Sequence, residues 1–305
     1  MLRYLKLLAP TLCLIFLYSC NDEEDEDQSP QFLNLSGSGS YSFADYEPLQ
    51  NKPVECFYHI PNNADAESPI FILIPGSGRD AEGLRDDLIQ QAEAKDVSIM
   101  AIRFPPETYQ GSNDYNLASI FDDGENPTTE SLNDEDRWTF NIIDPIFEDF
   151  KSRLGSSRNS YDVFGHSAGA QMIHRFALFE PQAKFNRLVS SAAGWYMLPD
   201  AQIEFPYGVM TTPLENQNLE SAFNREVYVM VGLLDTDPNS FNLRHTPEAD
   251  AQGLNRLERA QYYFSESRAI AKSLGHEYNW NYNSASNIGH DGDQMASFAM
   301  SILYD

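Results

Sequence analysis

A serine stands between two glycines at residues 165–169, in the order GHSAG. A short apolar run precedes these five residues and a segment with helical spacing follows them, so the serine lies where a strand passes into a helix. A sharp turn at such a junction holds the hydroxyl above the sheet, and flanking glycines leave room for the strand and helix backbones. The pattern therefore predicts that Ser167 is a nucleophile.

A serine hydroxyl is a weak nucleophile without a base, so the site also requires a histidine and an acid that orients it. The apolar run EVYVMVG is followed by Asp235 and Asp237, and the alternating run HEYNWNYN is followed by His290. Both positions are in loops expected at the carboxyl ends of strands. We therefore predict a triad of Ser167, Asp235 and His290. Asp237 stays an alternative acid, although an Asp beside Pro is often a turn residue.

Other histidines are alternatives to His290 as the base. His245 lies in a loop insert and is its only serious rival. His166 is next to the nucleophile and is expected to shape the pocket wall. The remaining three fall inside a helix or strands of the pattern, namely His59, His174 and His276.

Acyl transfer also requires donors for the oxyanion that forms on the substrate. The backbone N–H of Ala168, directly after the nucleophile, is one predicted donor. The second is expected from the loop IPGSGRDA at residues 74–81, with Ser77 N–H as the donor and Gly78 behind it. The sequence therefore predicts an oxyanion hole built from two backbone groups.

Composition excludes several other classes of function. The chain has 305 residues and a formal net charge of -26, which argues against nucleic acid as a partner because phosphate contacts require Lys and Arg. No His-Glu-x-x-His run occurs, and the pattern predicts neither a metal nor a cofactor. Hydrophobic residues make up 42% of the chain, enough for a substantial core.

The amino-terminal segment is predicted to be an export signal rather than part of the fold. Residues 1–19 contain a basic start and an apolar run too short to span a bilayer. The run ends in LYSC, which resembles the bacterial lipobox, and this resemblance implies that Cys20 is lipidated. An acidic run at 22–27 resembles the export tag of surface lipoproteins in Bacteroidetes-type bacteria. The expected location is the cell envelope, at the outer membrane and exposed on its surface, with the lipid as the sole membrane contact.

Residues 20–40 are predicted to form a flexible tether, because they combine the acidic run with a Gly/Ser stretch. With Cys13 in the signal and Cys20 lipidated, Cys56 is the single thiol of the mature domain. The sequence therefore predicts no disulfide framework.

Residues 41–305 are predicted to form one domain in which strands and helices alternate. This alternation predicts an α/β fold with a mostly parallel central sheet and helices on both faces. The expected strands cover residues 39–47, 53–61, 69–76, 97–106, 161–165, 187–193, 226–232 and 276–283. The expected helices cover residues 81–96, 134–155, 168–180, 255–275 and 293–303.

The assembled motifs resemble secreted bacterial serine esterases of the α/β-hydrolase superfamily. The resemblance is to the polyhydroxybutyrate-depolymerase and feruloyl-esterase-like branch. It covers residues 69–305 and rests on PGSGRDA, GHSAGAQ, SSAAGWYMLP, GLLDTDP and GHDGDQM. It implies the α/β-hydrolase fold and the chain order nucleophile, acid, histidine. In this fold the acid commonly follows the strand as Gly-x-x-Asp, which favours Asp235.

The same resemblance implies hydrolysis of a carboxylic ester through an acyl-enzyme. An acylated polysaccharide or a polyester is the expected substrate class. Candidates for an aromatic pocket are Trp138, Trp195, Tyr196 and the residues around 241–251. Two alternatives remain at this point. One is a serine peptidase on the same fold, and the other is a catalytically inactive surface binding lipoprotein.

Overall fold

One eight-stranded sheet runs through residues 35–305, the part of the chain that the computed structural model describes. The strands are β1 (Gly37–Phe43), β2 (Val54–Ile60), β3 (Ile70–Ile74), β4 (Ser98–Arg103), β5 (Tyr161–His166), β6 (Phe185–Ser191), β7 (Glu226–Gly232) and β8 (Asn281–Ala285). Their spatial order is β1-β2-β4-β3-β5-β6-β7-β8. Strands β3 to β8 are parallel, whereas β1 and β2 form an antiparallel edge. The predicted mostly parallel sheet is confirmed.

Helices cover both faces of this sheet, as predicted. They are α1 (Ala81–Asp87), α2 (Ile89–Lys95), α3 (Ile143–Leu154), α4 (Ala168–Phe179), α5 (Glu220–Phe223), α6 (Pro247–Ala251), α7 (Arg256–Leu274) and α8 (Gly292–Tyr304). Helices α1, α2 and α8 enclose one apolar core, and α3, α4 and α7 enclose a larger one on the opposite face. Parallel strands buried on both faces are expected to be apolar throughout, and β3 is fully buried along its length.

The predicted tether of residues 20–40 is too long at its carboxyl end, because β1 already begins at Gly37. Strand β1 pairs with β2 through backbone hydrogen bonds, which a Gly/Ser sequence supplies as well as any other. Gly39 leaves room for the ring of Tyr58, which would have to shift to accommodate a methyl group at this position. Residues 1–19, Cys20 and the acidic run lie outside the described residues, so the expectations about them stay predictions.

Two predicted elements begin later in the chain than expected. Residues 135–142 form two 3-10 turns instead of the first part of a long helix, and α3 begins at Ile143. Pro145 explains this, because proline is tolerated only in the first turn of a helix. The strand expected at 276–283 begins only at Asn281, as β8. The residues before it bond elsewhere, because the Asn279 N–H and the Trp280 indole donate to carbonyls of α5.

Within residues 35–305, no helix combines the length and the apolar character needed to cross a membrane.

Candidate active site

Ser167 sits on a strained turn between β5 and α4. Its backbone angles are φ 53° and ψ -110°, a combination that L-residues rarely adopt. The Ser167 N–H donates to the Ser191 carbonyl at the end of β6, 2.9 Å away, which fixes the turn above the sheet. The strand-turn-helix junction that the sequence predicted is therefore present, with the serine at its apex.

The two glycines of the motif are required by close backbone approach. A methyl group at Gly165 would lie 2.6 Å from the Gly169 carbonyl oxygen, and one at Gly169 would lie 2.5 Å from the carbonyl oxygen of Pro75. Carbon and oxygen atoms do not pack at such distances without moving backbone. The sharp turn thus depends on contact between α4, β5 and the loop after β3.

Gly169→Ala is expected to lower the free energy of unfolding by about 2 kcal/mol, since overpacking at rigid backbone outweighs the better helix propensity of Ala. Urea denaturation of both proteins measures the difference. Gly78→Ala is the matched control, because a methyl group there meets no atom within 4 Å. Equal stability of Gly169→Ala and the parent protein would contradict this account of the turn.

The structure brings the three predicted triad residues together in one chain of hydrogen bonds. His290 Nε2 lies 3.1 Å from Ser167 Oγ. His290 Nδ1 lies 2.8 Å from Asp235 Oδ2. The Asp235 side chain is only 2% exposed, whereas the His290 ring is partly open to solvent. The arrangement has the hydrogen-bond contacts that a serine nucleophile, a base and an orienting acid require.

The loops that carry Asp235 and His290 are bonded to one another. Leu234 N donates to the Ile288 carbonyl at 2.9 Å. Gly232, at the end of β7, permits this approach, because a methyl group there would lie 2.6 Å from the Gly289 carbonyl oxygen. The spacing between the acid and the histidine is therefore set by backbone contacts.

The alternative residues lie elsewhere. Asp237 is exposed, and its carboxylate accepts a hydrogen bond from Asn239 N at 2.8 Å, as a turn residue does. His245 contacts Asp250 Oδ1 and the Pro238 carbonyl, both at 2.8 Å. Neither side chain is part of the Ser167–His290 hydrogen-bond chain.

His166 forms a wall of the site. Its ring packs against the His290 ring at a tilt of 35°, with centroids 4.6 Å apart. Burial lowers the pKa of His166 well below its ordinary value, and the positive charge of the neighbouring Arg256 adds to this effect. His166 is therefore neutral at physiological pH and supports the imidazole of His290 as an uncharged ring.

The loop after β3 lies against the nucleophile. A methyl group at Gly76 would come within 3.6 Å of Ser167 Cβ. Ser77 follows directly and is exposed. Ala168 is the first residue of α4, so its N–H has no partner within that helix. Ala168 follows Ser167 in the chain, and Ser77 follows Gly76, which lies against Ser167. Both predicted donors are therefore near the nucleophile, and their role as an oxyanion hole stays a prediction.

Two buried side chains fix this loop, and neither was predicted from the sequence to do so. Arg79 has φ 56° and donates to the carbonyls of Phe104 and Tyr109, at 2.7 and 3.4 Å. Its guanidinium packs 3.5 Å from the ring centroid of Tyr115. The Tyr115 hydroxyl in turn donates to the Pro75 carbonyl at 2.5 Å. The Arg within PGSGRDA was a visible signal, whereas nothing in the local sequence marks Tyr115.

Tyr115→Phe is expected to lower kcat for an ester substrate about tenfold with little change in KM, because the loop loses one hydrogen bond that holds its donors. Steady-state kinetics measures both constants. Tyr109→Phe is the matched control, since the Tyr109 hydroxyl donates to the Lys52 carbonyl at 2.6 Å and not to this loop. An equal loss of kcat in both variants would contradict a specific role for Tyr115.

The predicted aromatic residues occupy different places. Trp138 packs on Phe179 in the core, and Tyr196 stacks on Tyr263 with centroids 4.3 Å apart. The Trp195 carbonyl accepts a hydrogen bond from Gln171, one turn of α4 beyond Ser167. Trp195 is thus the aromatic of this set that the structure connects to the start of α4.

Four large apolar side chains are exposed on the stretch between β7 and α7, the same stretch that carries Asp235. They are Leu233, Leu234, Phe241 and Leu254, exposed by 40, 61, 86 and 54%. Among residues 35–305, no group of three or more His, Cys, Asp or Glu side chains is arranged to hold a metal ion.

Solved structures match the whole described fold. Poly(aspartic acid) hydrolase-1 from Sphingomonas sp. KT-1 is 30% identical, with a TM-score of 0.82, and the match covers 88% of this chain and 99% of that one. This chain is an α/β-hydrolase. LpqC, a poly(3-hydroxybutyrate) depolymerase from Bordetella parapertussis, is 25% identical with a TM-score of 0.83, and covers 90% of this chain and 91% of its own.

More distant α/β-hydrolases share the fold alone. Siderophore hydrolase EstB from Aspergillus nidulans is 14% identical with a TM-score of 0.52, covering 88% of this chain and 93% of its own. Searches of family models and of curated proteins give no match. The predicted resemblance to the polyhydroxybutyrate-depolymerase branch is confirmed. The similar structures also support the prediction that this chain is a hydrolase.

Proposed function

We propose that this protein is a serine esterase that cleaves a carboxylic ester through an acyl-enzyme, with Ser167, His290 and Asp235 as its triad. The observation that carries the proposal is the pair of distances at His290. Its Nε2 is 3.1 Å from Ser167 Oγ and its Nδ1 is 2.8 Å from Asp235 Oδ2. The strained backbone of the nucleophile adds support, because such strain persists where function requires it.

In the proposed first half-reaction, Ser167 Oγ attacks the ester carbonyl carbon while its proton passes to His290 Nε2. Asp235 accepts the Nδ1–H of His290 and stabilises the imidazolium that forms. The N–H groups of Ala168 and Ser77 hold the oxyanion. The C–O bond then breaks, and His290 gives its proton to the departing alkoxide.

In the second half-reaction, water enters where the alcohol left. His290 takes a proton from that water, whose oxygen attacks the acyl carbon on Ser167. The acyl–oxygen bond to Ser167 breaks, and the proton returns from His290 to Ser167 Oγ. The carboxylic acid leaves and the starting enzyme is restored, with no net change at any triad residue.

The proposed substrate is a neutral ester or polyester with an apolar part. The apolar side chains Leu233, Leu234, Phe241 and Leu254 lie on the segment that carries the triad acid. A net charge of -26 repels a polyanion such as poly(aspartic acid), even though one similar structure is a hydrolase of that polymer. The similarity to a poly(3-hydroxybutyrate) depolymerase favours an uncharged polyester.

The test is turnover of a short-chain nitrophenyl ester by the purified protein, followed by labelling with a fluorophosphonate. Turnover with the label on the peptide that contains Ser167 is the expected result. Turnover with the label on another residue would refute the assignment of the nucleophile. Absence of both turnover and label would favour a binding protein that has kept the fold.

Amide hydrolysis is a second candidate, because the similar poly(aspartic acid) hydrolase-1 acts on an amide-linked polymer. A nitroanilide of the same acid separates the two reactions. An esterase is expected to leave the nitroanilide uncleaved, because the amine departs only when it is protonated. Cleavage of the nitroanilide that is lost in Ser167→Ala would favour the peptidase.

We further propose that the enzyme is tethered at the cell envelope through lipid on Cys20, at the outer membrane and exposed to the exterior. The support is the LYSC sequence and the acidic run that follows it. Metabolic labelling with a palmitate analogue is expected to mark the parent protein and not Cys20→Ala. Labelling of both proteins, or recovery of unlabelled parent protein from the medium, would refute the tether.

A further inference from the structure

A buried arginine contacts the proposed triad acid from the side opposite His290. Arg256 is the first residue of α7, and its Nη1 lies 3.7 Å from Asp235 Oδ1. Both side chains are 2% exposed. His290 occupies the other carboxylate oxygen, Oδ2, at 2.8 Å. Asp235 thus lies between the Arg256 guanidinium, which is permanently charged, and the His290 imidazole, which acquires charge during the proposed reaction.

Further contacts hold Arg256 in this position. Its Nη1 donates to Ser240 Oγ at 2.7 Å, and its Nη2 donates to the Phe241 carbonyl at 3.3 Å. The N–H of Leu257 donates to the Asp235 carbonyl at 3.1 Å, which ties the start of α7 to the loop of the acid. The guanidinium therefore has a fixed place behind the carboxylate.

The charge of Arg256 persists despite its burial. Burial lowers the pKa of Arg256, and the adjacent Asp235 carboxylate opposes that effect. A guanidinium remains protonated throughout the pH range of enzyme assays. Because Arg256 and Asp235 both exclude solvent, the charge of Arg256 is weakly screened at the carboxylate to which His290 is bonded.

Several other groups lie near His290 or Asp235. His166 packs against the imidazole and is neutral, because burial lowers its pKa. Tyr196 lies near Asp235 and Arg256, and burial raises its pKa above the assay range, so it is neutral as well. Asp291 follows His290 in the chain and caps α8 by accepting from Gln294 N. Of these neighbours of the triad, Arg256 is the one that carries a positive charge.

The presence of this cation has two opposite effects. It keeps the Asp235 carboxylate ionised and oriented, which favours the tautomer of His290 with its proton on Nδ1. It also disfavours the protonated imidazole, because two positive charges then share one buried carboxylate. The base therefore stays unprotonated, and competent to accept the Ser167 proton, at lower pH than it would beside Asp235 alone.

On this basis we infer that Arg256 is a positioning residue for Asp235 that extends the activity of the enzyme toward lower pH. The inference rests on the proposed triad. It assigns to the start of α7 a role in setting the pH range of ester hydrolysis, in addition to its part in the fold.

The test is the pH dependence of kcat/KM on a neutral nitrophenyl ester for the parent protein, Arg256→Met, Arg256→Gln and Arg256→Lys. The neutral replacements are expected to move the acid limb upward by about one pH unit, as removal of a nearby charge does. Arg256→Lys keeps the charge and is expected to leave the limb close to that of the parent. Arg256→Gln serves where Arg256→Met fails to fold.

Arg259→Met is the matched control for loss of a buried arginine. Arg259 is equally buried, and it bonds to the Gly194 carbonyl and Asp250, not to Asp235. It is expected to lower stability without moving the acid limb. An unshifted limb in both neutral Arg256 variants, or an equal shift in Arg259→Met, would overturn the inference.

Titration of the His290 imidazole by NMR, assigned with His290→Gln, tests the inference without turnover. The midpoint in Arg256→Gln is expected about one pH unit above that of the parent, and coincident midpoints would overturn the inference. A shifted midpoint in a protein without Ser167-dependent turnover would instead refute the proposed esterase function alone. The two failures are therefore distinguishable.

Discussion

Ser167→Ala is expected to reduce kcat on a nitrophenyl ester by about 10⁶-fold, the loss observed when a triad nucleophile is removed. The reason is geometric. The Ser167 hydroxyl is the oxygen that the structure places 3.1 Å from His290 Nε2, so its loss leaves the base without a nucleophile to activate. Steady-state rates and fluorophosphonate labelling, with the enzyme concentration fixed by active-site titration of the parent, measure the effect.

Ser273→Ala is the control for this experiment. Ser273 is an exposed serine of α7 whose hydroxyl donates to the Ile270 carbonyl, far in sequence from the triad. The Ser273→Ala variant is expected to hydrolyse the nitrophenyl ester with the same kcat as the parent. A rate for Ser167→Ala within about tenfold of the parent would be far from the loss expected for a nucleophile, and the mechanism would then have to be withdrawn.

Asp235→Asn is expected to lower kcat by about 10⁴-fold, because the amide can present its N–H to His290 Nδ1 and so favour the wrong tautomer. The imidazole then directs a proton, not a lone pair, at Ser167. The substitution preserves the size of the side chain but leaves the buried Arg256 without its carboxylate partner, so some loss of stability is expected beside the loss of activity. Rate measurements at the pH optimum, accompanied by circular dichroism, separate the chemical loss from unfolding.

Asp237→Asn is the paired control, because it alters the second aspartate of the same loop. Asp237 is exposed and caps a turn by accepting from Asn239 N. Its replacement is expected to leave kcat within about twofold, as for most exposed positions. A larger loss of kcat in Asp237→Asn than in Asp235→Asn would mean that Asp237, and not Asp235, is the triad acid.

The sequence was sufficient to place the three triad candidates, because each follows a strand whose apolar or alternating pattern is clear. The residues alone did not distinguish Asp235 from Asp237 as the triad acid, since the two are separated by one position in a loop. In the structure Asp235 is enclosed and Asp237 is exposed, which supports Asp235 as the proposed acid. Burial of a loop side chain depends on what packs over it, and no local pattern records that.

Arg79, Tyr115 and Arg256 were not assigned roles from sequence for the same reason. The partners of Tyr115 and Arg256 lie 40 and 21 residues away along the chain, at Pro75 and Asp235. Boundaries failed where tertiary contacts replaced the regular pattern. The 3-10 turns before α3 are an example, since Thr139 N bonds to the Ala118 carbonyl and not within a helix.

The direction of the first strand has a consequence for how a tethered enzyme would face its surroundings. Gly37 pairs with Ile60 and Phe43 with Val54, while β2 runs antiparallel to β4. Strand β1 therefore runs in the same direction as the parallel strands, and residue 37 enters the sheet at the end remote from Ser167, which follows the carboxyl end of β5. A lipid on Cys20, as proposed, would therefore join the domain at the end of the sheet opposite the catalytic rim, so the attachment point would leave access to Ser167 unobstructed.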